Sequence, residues 1–138
     1  MKDCIFCKII NKLEPALIIL ENEHIMCLLP IKMEVPGHTI IIPKKHFKNI
    51  FDVDELYLHE VTKGIKDISL LLQKTLGADG VNILNANGEH AGQSVAHLHF
   101  HIMPRFKNDN LDLWPNINVQ NIDRQNIYKK IIGNQQRI

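Results

Sequence analysis

Three histidines alternate with apolar residues in the second half of the chain. His97, His99 and His101 are each separated by one apolar residue, and apolar residues precede and follow them. Successive side chains of a β-strand point to opposite faces, so this alternation predicts a strand with all three imidazoles on one face. Aligned imidazoles make a poor core, because histidine is seldom fully buried and protonated rings repel each other. The pattern therefore favours a functional face, with partly buried structural histidines as the alternative.

The spacing of the three rings limits their chemistry. Residues on one face of a strand lie about 6.6 Å apart, so His97 and His101 would be about 13 Å apart. Metal–nitrogen bonds are only about 2.0–2.1 Å long, so one ion does not readily bind all three rings. His99 is the ring that both neighbours can influence. Histidine titrates close to neutral pH and can serve as a base, a nucleophile or a ligand.

Length and composition bound the class of protein. The chain has 138 residues, 45% of them hydrophobic, which predicts a single domain spanning 1–138. Lysine and arginine number 16 against 15 acidic residues, so we expect no nucleic-acid partner. No apolar run is long enough for a membrane span, and Lys8 and Asn11 interrupt the apolar start, so we expect neither a membrane partner nor a signal peptide. The three cysteines do not resemble a secreted disulfide framework, so a cytoplasmic location is predicted.

The remaining pattern predicts strands over 17–21, 24–29, 38–42 and 81–84. Asp52 followed by Glu55 resembles a capping box, and it precedes a long amphipathic helix that ends near Gly77. The apolar positions of this helix recur at helical spacing, at Leu58, Val61, Ile65, Ile68 and Leu72. A loop is predicted over 85–92 and a shorter helix over 121–132. One long helix on an antiparallel β-sheet meander is an α+β fold.

Three blocks of the sequence resemble the histidine triad family of nucleotide hydrolases and transferases. The segment 91–105 resembles the family signature, 4–10 resembles its amino-terminal segment, and 36–46 resembles its second conserved strand. The match covers the chain up to residue 105 and leaves 106–138 as a divergent carboxy-terminal tail. The blocks are most similar to the Hint-like branch that carries a zinc-binding Cys-x-x-Cys motif. This resemblance implies an antiparallel sheet with one long helix, and a homodimer whose sheets join across the interface.

The resemblance also implies catalytic roles. His99 would attack the α-phosphorus of a purine nucleotide and form a covalent nucleotidyl-histidine that water then hydrolyses. His101 would contact the phosphate, while Gly92, Gln93 and Ser94 would hold phosphate and leaving group from a tight turn. The implied substrates are purine nucleoside phosphoramidates or related nucleotides, cleaved without a catalytic metal. A dinucleoside polyphosphate hydrolase and a non-catalytic nucleotide-binding or scaffold protein remain as alternatives.

Cys4 and Cys7 form a Cys-x-x-Cys motif with three interpretations. The two residues could be zinc ligands, a redox dithiol, or small apolar side chains. A redox motif is expected to follow a strand and open a helix, and the residues after Cys7 do not indicate that context. The resemblance supplies His46 and His97 as two further ligands. The four residues would form a closed site for a structural zinc ion.

Nucleotide-binding residues are likewise implied by the resemblance. Asn85 would reach the phosphate region, and the base pocket would be lined by Phe6, Ile9, Leu28 and Ile31, for which core packing is the competing interpretation. The family usually has an aspartate for the ribose hydroxyls where this chain has Pro30, which has neither a carboxylate nor a backbone donor. Ribose binding is then weaker, or Glu34 supplies the acceptor, or the substrate is not an ordinary ribonucleotide. His38 is assigned a structural position at the start of a strand.

Overall fold

Five antiparallel strands form one sheet in the computed structural model, which describes residues 4–113 and 122–133. The strands are β1 (Leu17–Glu21), β2 (Ile25–Leu29), β3 (Thr39–Pro43), β4 (Gly80–Leu84) and β5 (Phe100–Arg105). The helices are α1 (Ile5–Ile10), α2 (Glu55–Leu76) and α3 (Arg124–Gly133), with a 3₁₀ turn at Glu89–Ala91. The order across the sheet is β1-β2-β3-β5-β4, so the last strand inserts beside β3 and the sheet departs from a simple meander. The predicted α+β class is confirmed.

The long helix α2 covers one face of the sheet. Its buried residues, Val61, Ile68 and Leu72, pack against apolar side chains of β2, β3 and β5. The predicted helical spacing is therefore the spacing of the buried stripe. Gly77 ends the helix in the left-handed conformation at φ 69°, as the sequence predicts.

The start of α2 differs from the predicted capping box. Asp54, and not Asp52, occupies the capping position, and its side chain makes no capping hydrogen bond. Asp52 instead accepts hydrogen bonds from the backbone nitrogens of Lys48 and Asn49, at 3.0 and 2.9 Å. The acidic residue therefore closes the turn before the helix, which is a common competing role for aspartate.

The short helix α1 covers the opposite face of β2 and β3. Phe6 is buried there in a second apolar cluster that also contains Met26, Leu28, Ile40 and Ile42. Because both faces of β3 are covered, all five of its residues are buried. This explains why β3 is a continuous apolar run rather than an alternating one.

The predicted strand through all three histidines is wrong in its extent. β5 begins at Phe100, so only His101 of the three lies within a strand. The backbone nitrogen of Leu98 donates to the carbonyl of Phe47 at 2.7 Å, and that of His97 donates to Val95 at 2.8 Å. The chain therefore bends through 95–97 before it joins the sheet.

The start of the carboxy-terminal tail is attached to the sheet through Arg105. Its guanidinium donates to both carboxylate oxygens of Asp109 at 2.7 Å and to the side chain of Asn82 in β4 at 2.7 Å. The helix predicted over 121–132 is confirmed as α3, which begins at Arg124 and ends at Gly133. Residues 122 and 123 precede it, and Asn121 lies outside the described residues. No helix in the described residues has the length and apolarity that crossing a membrane requires.

Candidate active site and metal-ligand cluster

The ring of His99 is held in one orientation by its own main chain. Its Nδ1 lies 2.7 Å from the carbonyl oxygen of His97, and the ring is only 5% exposed. A carbonyl oxygen can only accept, so Nδ1 carries the hydrogen and Nε2 retains its lone pair. The side chain of Asn85 donates to the His99 carbonyl at 2.7 Å and fixes the main chain as well. In the neutral form of the ring, the contact of Nδ1 with the His97 carbonyl leaves Nε2 with its lone pair.

His101 lies beside His99 at the start of β5. The two ring centroids are 5.1 Å apart, and the ring planes are nearly perpendicular at 78°. Burial, together with the neighbouring imidazoles of His99 and His38, lowers the pKa of His101 to about 4. The ring is therefore neutral at neutral pH when no anion is bound.

His38, for which the sequence predicts a structural position, is a neighbour of His101. Its Nε2 lies 2.8 Å from Nδ1 of His101, and the residue is only 3% exposed. The strand register explains the contact: Ile40 pairs with His101, so the residue two places before Ile40 is a diagonal neighbour on the same face. The signal was available in sequence only once β3 and β5 were known to be adjacent.

Glu34 contacts the other nitrogen of His38. Its Oε2 lies 2.6 Å from His38 Nδ1 but off the axis of the N–H bond, so the contact is an ion-pair geometry and not a well-aligned hydrogen bond. Burial lowers the pKa of His38, and the Glu34 carboxylate opposes that shift. The alternative role of Glu34 as a ribose acceptor would require this carboxylate to serve two partners.

The side chain of Gln93 is engaged with the backbone of its own region. Its Oε1 accepts from Gly88 N at 2.8 Å, and its Nε2 donates to the carbonyls of Lys48 and Val95 at 2.6 and 2.9 Å. Gly92 closes the 3₁₀ turn at φ 82°, a left-handed conformation that favours glycine. In this state Gln93 holds the shape of the loop, and a phosphate contact from its side chain stays a prediction.

Ser94 lies on an open groove of about 440 Å³ at the edge of the cysteine motif. Its neighbours along the groove include Cys4, His46 and Lys48. The groove combines a hydroxyl with a flexible cation, a pairing that suits a polar or anionic group. A leaving-group contact by Ser94 remains a prediction.

Cys4, Cys7, His46 and His97 converge into one cluster, although they come from three separate segments. Their ligand atoms all lie within 4.8 Å of one another. The Sγ to Nδ1 distances are 3.4 Å for Cys4 and His97, 3.3 Å for Cys7 and His46, and 3.7 Å for Cys7 and His97. Tetrahedral zinc with Zn–S of about 2.3 Å and Zn–N of about 2.0–2.1 Å places sulfur and nitrogen roughly 3.6 Å apart. Three sulfur–nitrogen distances are therefore already close to those of a zinc site, and the cluster could hold a metal ion.

The chemistry of these side chains also suits a metal. His97 Nε2 donates to the carbonyl of Pro43 at 2.9 Å, so Nδ1 carries the lone pair and faces the sulfurs. Burial lowers the pKa of His97 to about 4, which keeps the ring neutral. Burial raises the pKa of the Cys7 thiol to about 11, with the nearby Cys4 contributing, and a bound cation would reverse that effect.

The redox interpretation of the cysteine pair is weaker. Contrary to the sequence expectation, a helix does open at the motif, with Cys4 in its capping position. Both cysteines, however, are free thiols that face imidazoles. Two converging nitrogens are expected of a metal site and not of a dithiol.

The residues predicted to line a base pocket separate into two groups. Phe6, Ile9 and Leu28 belong to the apolar cluster beneath α1, and the Phe6 ring lies 5.3 Å from that of His99. Ile31 lies outside that cluster in the β2–β3 connection and is fully exposed. Phe6, Ile9 and Leu28 therefore serve the core, and Phe6 also borders His99.

Comparison with known proteins identifies the family. The model of the HIT domain matches residues 11–108. An uncharacterised HIT-like protein of Methanocaldococcus jannaschii is 42% identical over 94% of this chain and 99% of its own length. A HIT family structure from Bacillus subtilis superimposes with a TM-score of 0.86 at 33% identity, covering 99% of both chains. A zinc-bound histidine triad protein from Mycobacterium smegmatis has a TM-score of 0.78 at 31% identity, covering 85% of both chains.

Two relatives of known activity match over shorter parts of their length. One is an adenylylsulfatase of Arabidopsis thaliana, 36% identical over 78% of this chain and 54% of its own length. The other is an adenosine 5′-monophosphoramidase of Saccharomyces cerevisiae, 35% identical over 74% of this chain and 62% of its own length. With the domain match, the shared fold and the three histidines in place, the chain belongs to the histidine triad, or HIT, family.

Proposed function

We propose that the protein is a nucleotide hydrolase that acts at the α-phosphorus of purine nucleoside phosphoramidates or related nucleotides. The observation that carries this proposal is the 2.7 Å contact between His99 Nδ1 and the carbonyl oxygen of His97. A carbonyl oxygen can only accept, so the hydrogen of the neutral ring lies on Nδ1 and Nε2 is left with its lone pair. In the first step Nε2 forms a bond to phosphorus, and the phosphorus–nitrogen bond of the substrate breaks. The leaving amine takes up a proton from solvent as it departs. Water then attacks phosphorus, the bond between phosphorus and Nε2 breaks, and the attacking water gives its proton back to solvent. These steps release the nucleoside monophosphate and restore the imidazole.

The neighbours of His99 have supporting roles in this proposal. His101 contacts the phosphate oxygens as negative charge develops, and the backbone N–H groups of Gly92 and Gln93 provide further donors. Ser94, on the groove beside the cysteines, contacts the leaving group. Phe6 borders the nucleophile and contributes to the purine pocket.

The relatives favour this chemistry over the alternatives. A phosphoramidase and an adenylylsulfatase both act on a bond at the phosphate of an adenosine nucleotide, and both are more than a third identical to this chain over the matched region. A dinucleoside polyphosphate hydrolase and a binding protein without turnover are the outcomes that the activity assay must exclude.

We propose that the cluster of Cys4, Cys7, His46 and His97 binds a structural zinc ion. Four protein ligands fill a tetrahedral site, which leaves no position for substrate. Coordination of His97 through Nδ1 would tie α1 to the segment that leads into His99, since His97 also donates to Pro43 through Nε2. The ion would thereby hold the nucleophile in position without taking part in the reaction.

We also propose that two copies join through β4. β4 is an edge strand, since it pairs only with β5 among the described strands. Leu70 and Leu76 of α2 and Ile83 of β4 are large apolar side chains that remain exposed in the single chain. An unpaired strand edge with adjacent apolar surface is what a second copy can cover. The cytoplasmic location and the absence of nucleic-acid or membrane partners stay predictions.

The proposal is tested by hydrolysis of adenosine 5′-phosphoramidate. The wild-type protein should release AMP, and His99→Ala should lose at least a thousandfold in kcat because the nucleophile is absent. His59→Ala, which changes an exposed histidine of α2, is the matched control and should retain activity. Preferred cleavage of a diadenosine polyphosphate would favour the alternative hydrolase. Nucleotide binding without any turnover would favour the binding protein.

A further inference from the structure

We infer that Glu34 is a positioning residue for His101 and acts through His38. It places the hydrogen of the neutral His101 ring on Nδ1, so that Nε2 is the nitrogen that can accept a proton. The inference rests on the proposed function for its catalytic meaning. Its structural part is a row of three side chains in contact, namely Glu34, His38 and His101. This part can be tested without any substrate.

The first step of the argument concerns His38 and Glu34. The Glu34 carboxylate lies 2.6 Å from His38 Nδ1, and an ionised carboxylate can only accept. His38 is 3% exposed, and its Nδ1 is buried without any well-aligned hydrogen-bond partner in the described part of the chain. The nitrogen is closed to solvent, and the Glu34 carboxylate lies within reach of it, although off the axis of the N–H bond. The negative carboxylate attracts a hydrogen at Nδ1 and repels a lone pair there, so neutral His38 carries its hydrogen on Nδ1.

The second step transmits that choice to His101. With its hydrogen on Nδ1, His38 has an unprotonated Nε2, which lies 2.8 Å from Nδ1 of His101. A hydrogen bond between these atoms then requires Nδ1 of His101 to be the donor. The Nε2 of neutral His101 is left with a lone pair, in a ring whose centroid is 5.1 Å from that of His99. The reverse tautomers would place a hydrogen on that nitrogen instead.

The third step concerns charge. Burial and the neighbouring histidines oppose protonation of His101, whereas the Glu34 carboxylate favours it. An arriving phosphate anion would act in the same direction as Glu34, because opposite charge stabilises the imidazolium. His101 can then take up a proton on Nε2 and donate it in a hydrogen bond to the phosphate. Glu34 is separated from His101 by His38, and its negative charge offsets the resulting positive charge on His101.

An incidental surface pair is the competing explanation for Glu34. Its side chain is 51% exposed, and exposed ion pairs four residues apart commonly contribute little. The burial of His38 favours the positioning role, because the second ring nitrogen of His38 contacts His101 in the candidate site. A pair with one end buried against His101 can influence the site without contributing to stability.

The first experiment reads the tautomers by NMR of protein labelled with ¹⁵N in its histidines, at pH 7 and without nucleotide. In the wild type, His38 and His101 should both carry hydrogen on Nδ1. Glu34→Ala should shift both rings toward the Nε2–H form, whereas Glu34→Gln, which keeps an acceptor oxygen, should retain much of the wild-type signal. Glu23→Ala removes an exposed carboxylate from the β1–β2 turn and should change neither ring. The Nε2–H form of His38 in the wild type, or unchanged tautomers in Glu34→Ala, overturns the inference.

The second experiment measures turnover of adenosine 5′-phosphoramidate. Glu34→Ala should lower kcat on the order of tenfold and leave KM within about twofold, with Glu34→Gln between it and the wild type. A change in KM alone would indicate a ribose contact and overturn the positioning role. If His99→Ala retained wild-type turnover, the proposed function would fail, while the tautomer measurement would still decide the role of Glu34.

Discussion

Removal of one thiol from the Cys4, Cys7, His46 and His97 cluster should abolish stabilisation of the fold by zinc. The sulfur–nitrogen distances of 3.3–3.7 Å already lie close to the roughly 3.6 Å of a tetrahedral zinc site. Little of the binding free energy would therefore be used to rearrange the ligands. The ion would also connect residues of α1 with residues up to 93 positions away in the chain. Binding should thus appear as stability of the whole domain.

The size of the effect follows from mass action. Zinc held at about a thousand times its dissociation constant stabilises the folded state by about 4 kcal/mol. For a chain of this length, 1 kcal/mol corresponds to roughly 2–5 °C in Tm, so zinc should raise Tm by roughly 8–20 °C. Cys7→Ala should eliminate most of that difference, because three ligands bind zinc far less tightly than four.

The assay is thermal unfolding followed by circular dichroism, with zinc or with a strong chelator. Cys27→Ala is the matched control, since Cys27 is buried in the α2 core away from the cluster. It should lower Tm by a similar amount under both conditions and keep the response to zinc. Equal Tm values for the wild type with zinc and with chelator, or one bound zinc per chain in Cys7→Ala, would refute the reasoning.

Three further predictions concern the core, pH and assembly. Gly64→Ala should lower the free energy of unfolding by about 1–2 kcal/mol in urea titrations. The new Cβ would lie 2.5 Å from Ile25 Cδ1 and 2.6 Å from Ile41 Cδ1. This overpacking outweighs the gain in helix propensity of alanine over glycine. Burial lowers the pKa of His101 from 6.5 to about 4, so stability should be fully present above pH 6.5 and decline toward pH 4, and His101→Gln should flatten that decline. Leu70→Glu should convert the dimer to a monomer in analytical ultracentrifugation, whereas a wild-type monomer at micromolar concentration would contradict the proposed interface.

Much of the fold was predictable because local patterns agreed with their tertiary surroundings. The apolar spacing of α2 matched the stripe it buries, and Gly77 ended the helix as expected. The strand of three histidines was predicted too long, because alternation does not reveal that Leu98 pairs its backbone with Phe47 and not with a neighbouring strand. The position of β5 between β3 and β4 likewise depends on contacts between residues distant in sequence, which local patterns do not reveal.

The candidate site divides in the same way. The motif of Cys4 and Cys7 supplies only two ligands, and the other two lie 39 and 93 residues away in sequence from their cysteine partners. Family resemblance identified those partners, and spacing could not. The contacts from Glu34 to His38 and from His38 to His101 could not be predicted from the sequence. They depend on the register of β3 and β5, which are distant in sequence.

The most direct test of the account is to stop a reaction of wild-type protein and adenosine 5′-phosphoramidate within the first turnover and analyse the peptides by mass spectrometry. The account predicts an adenylyl group on the peptide that contains His99, with fragmentation locating it on that residue and no adduct in His99→Ala. Product formed in a burst with no adduct, or with the adenylyl group on another residue such as Ser94, would contradict the claim that His99 Nε2 is the nucleophile.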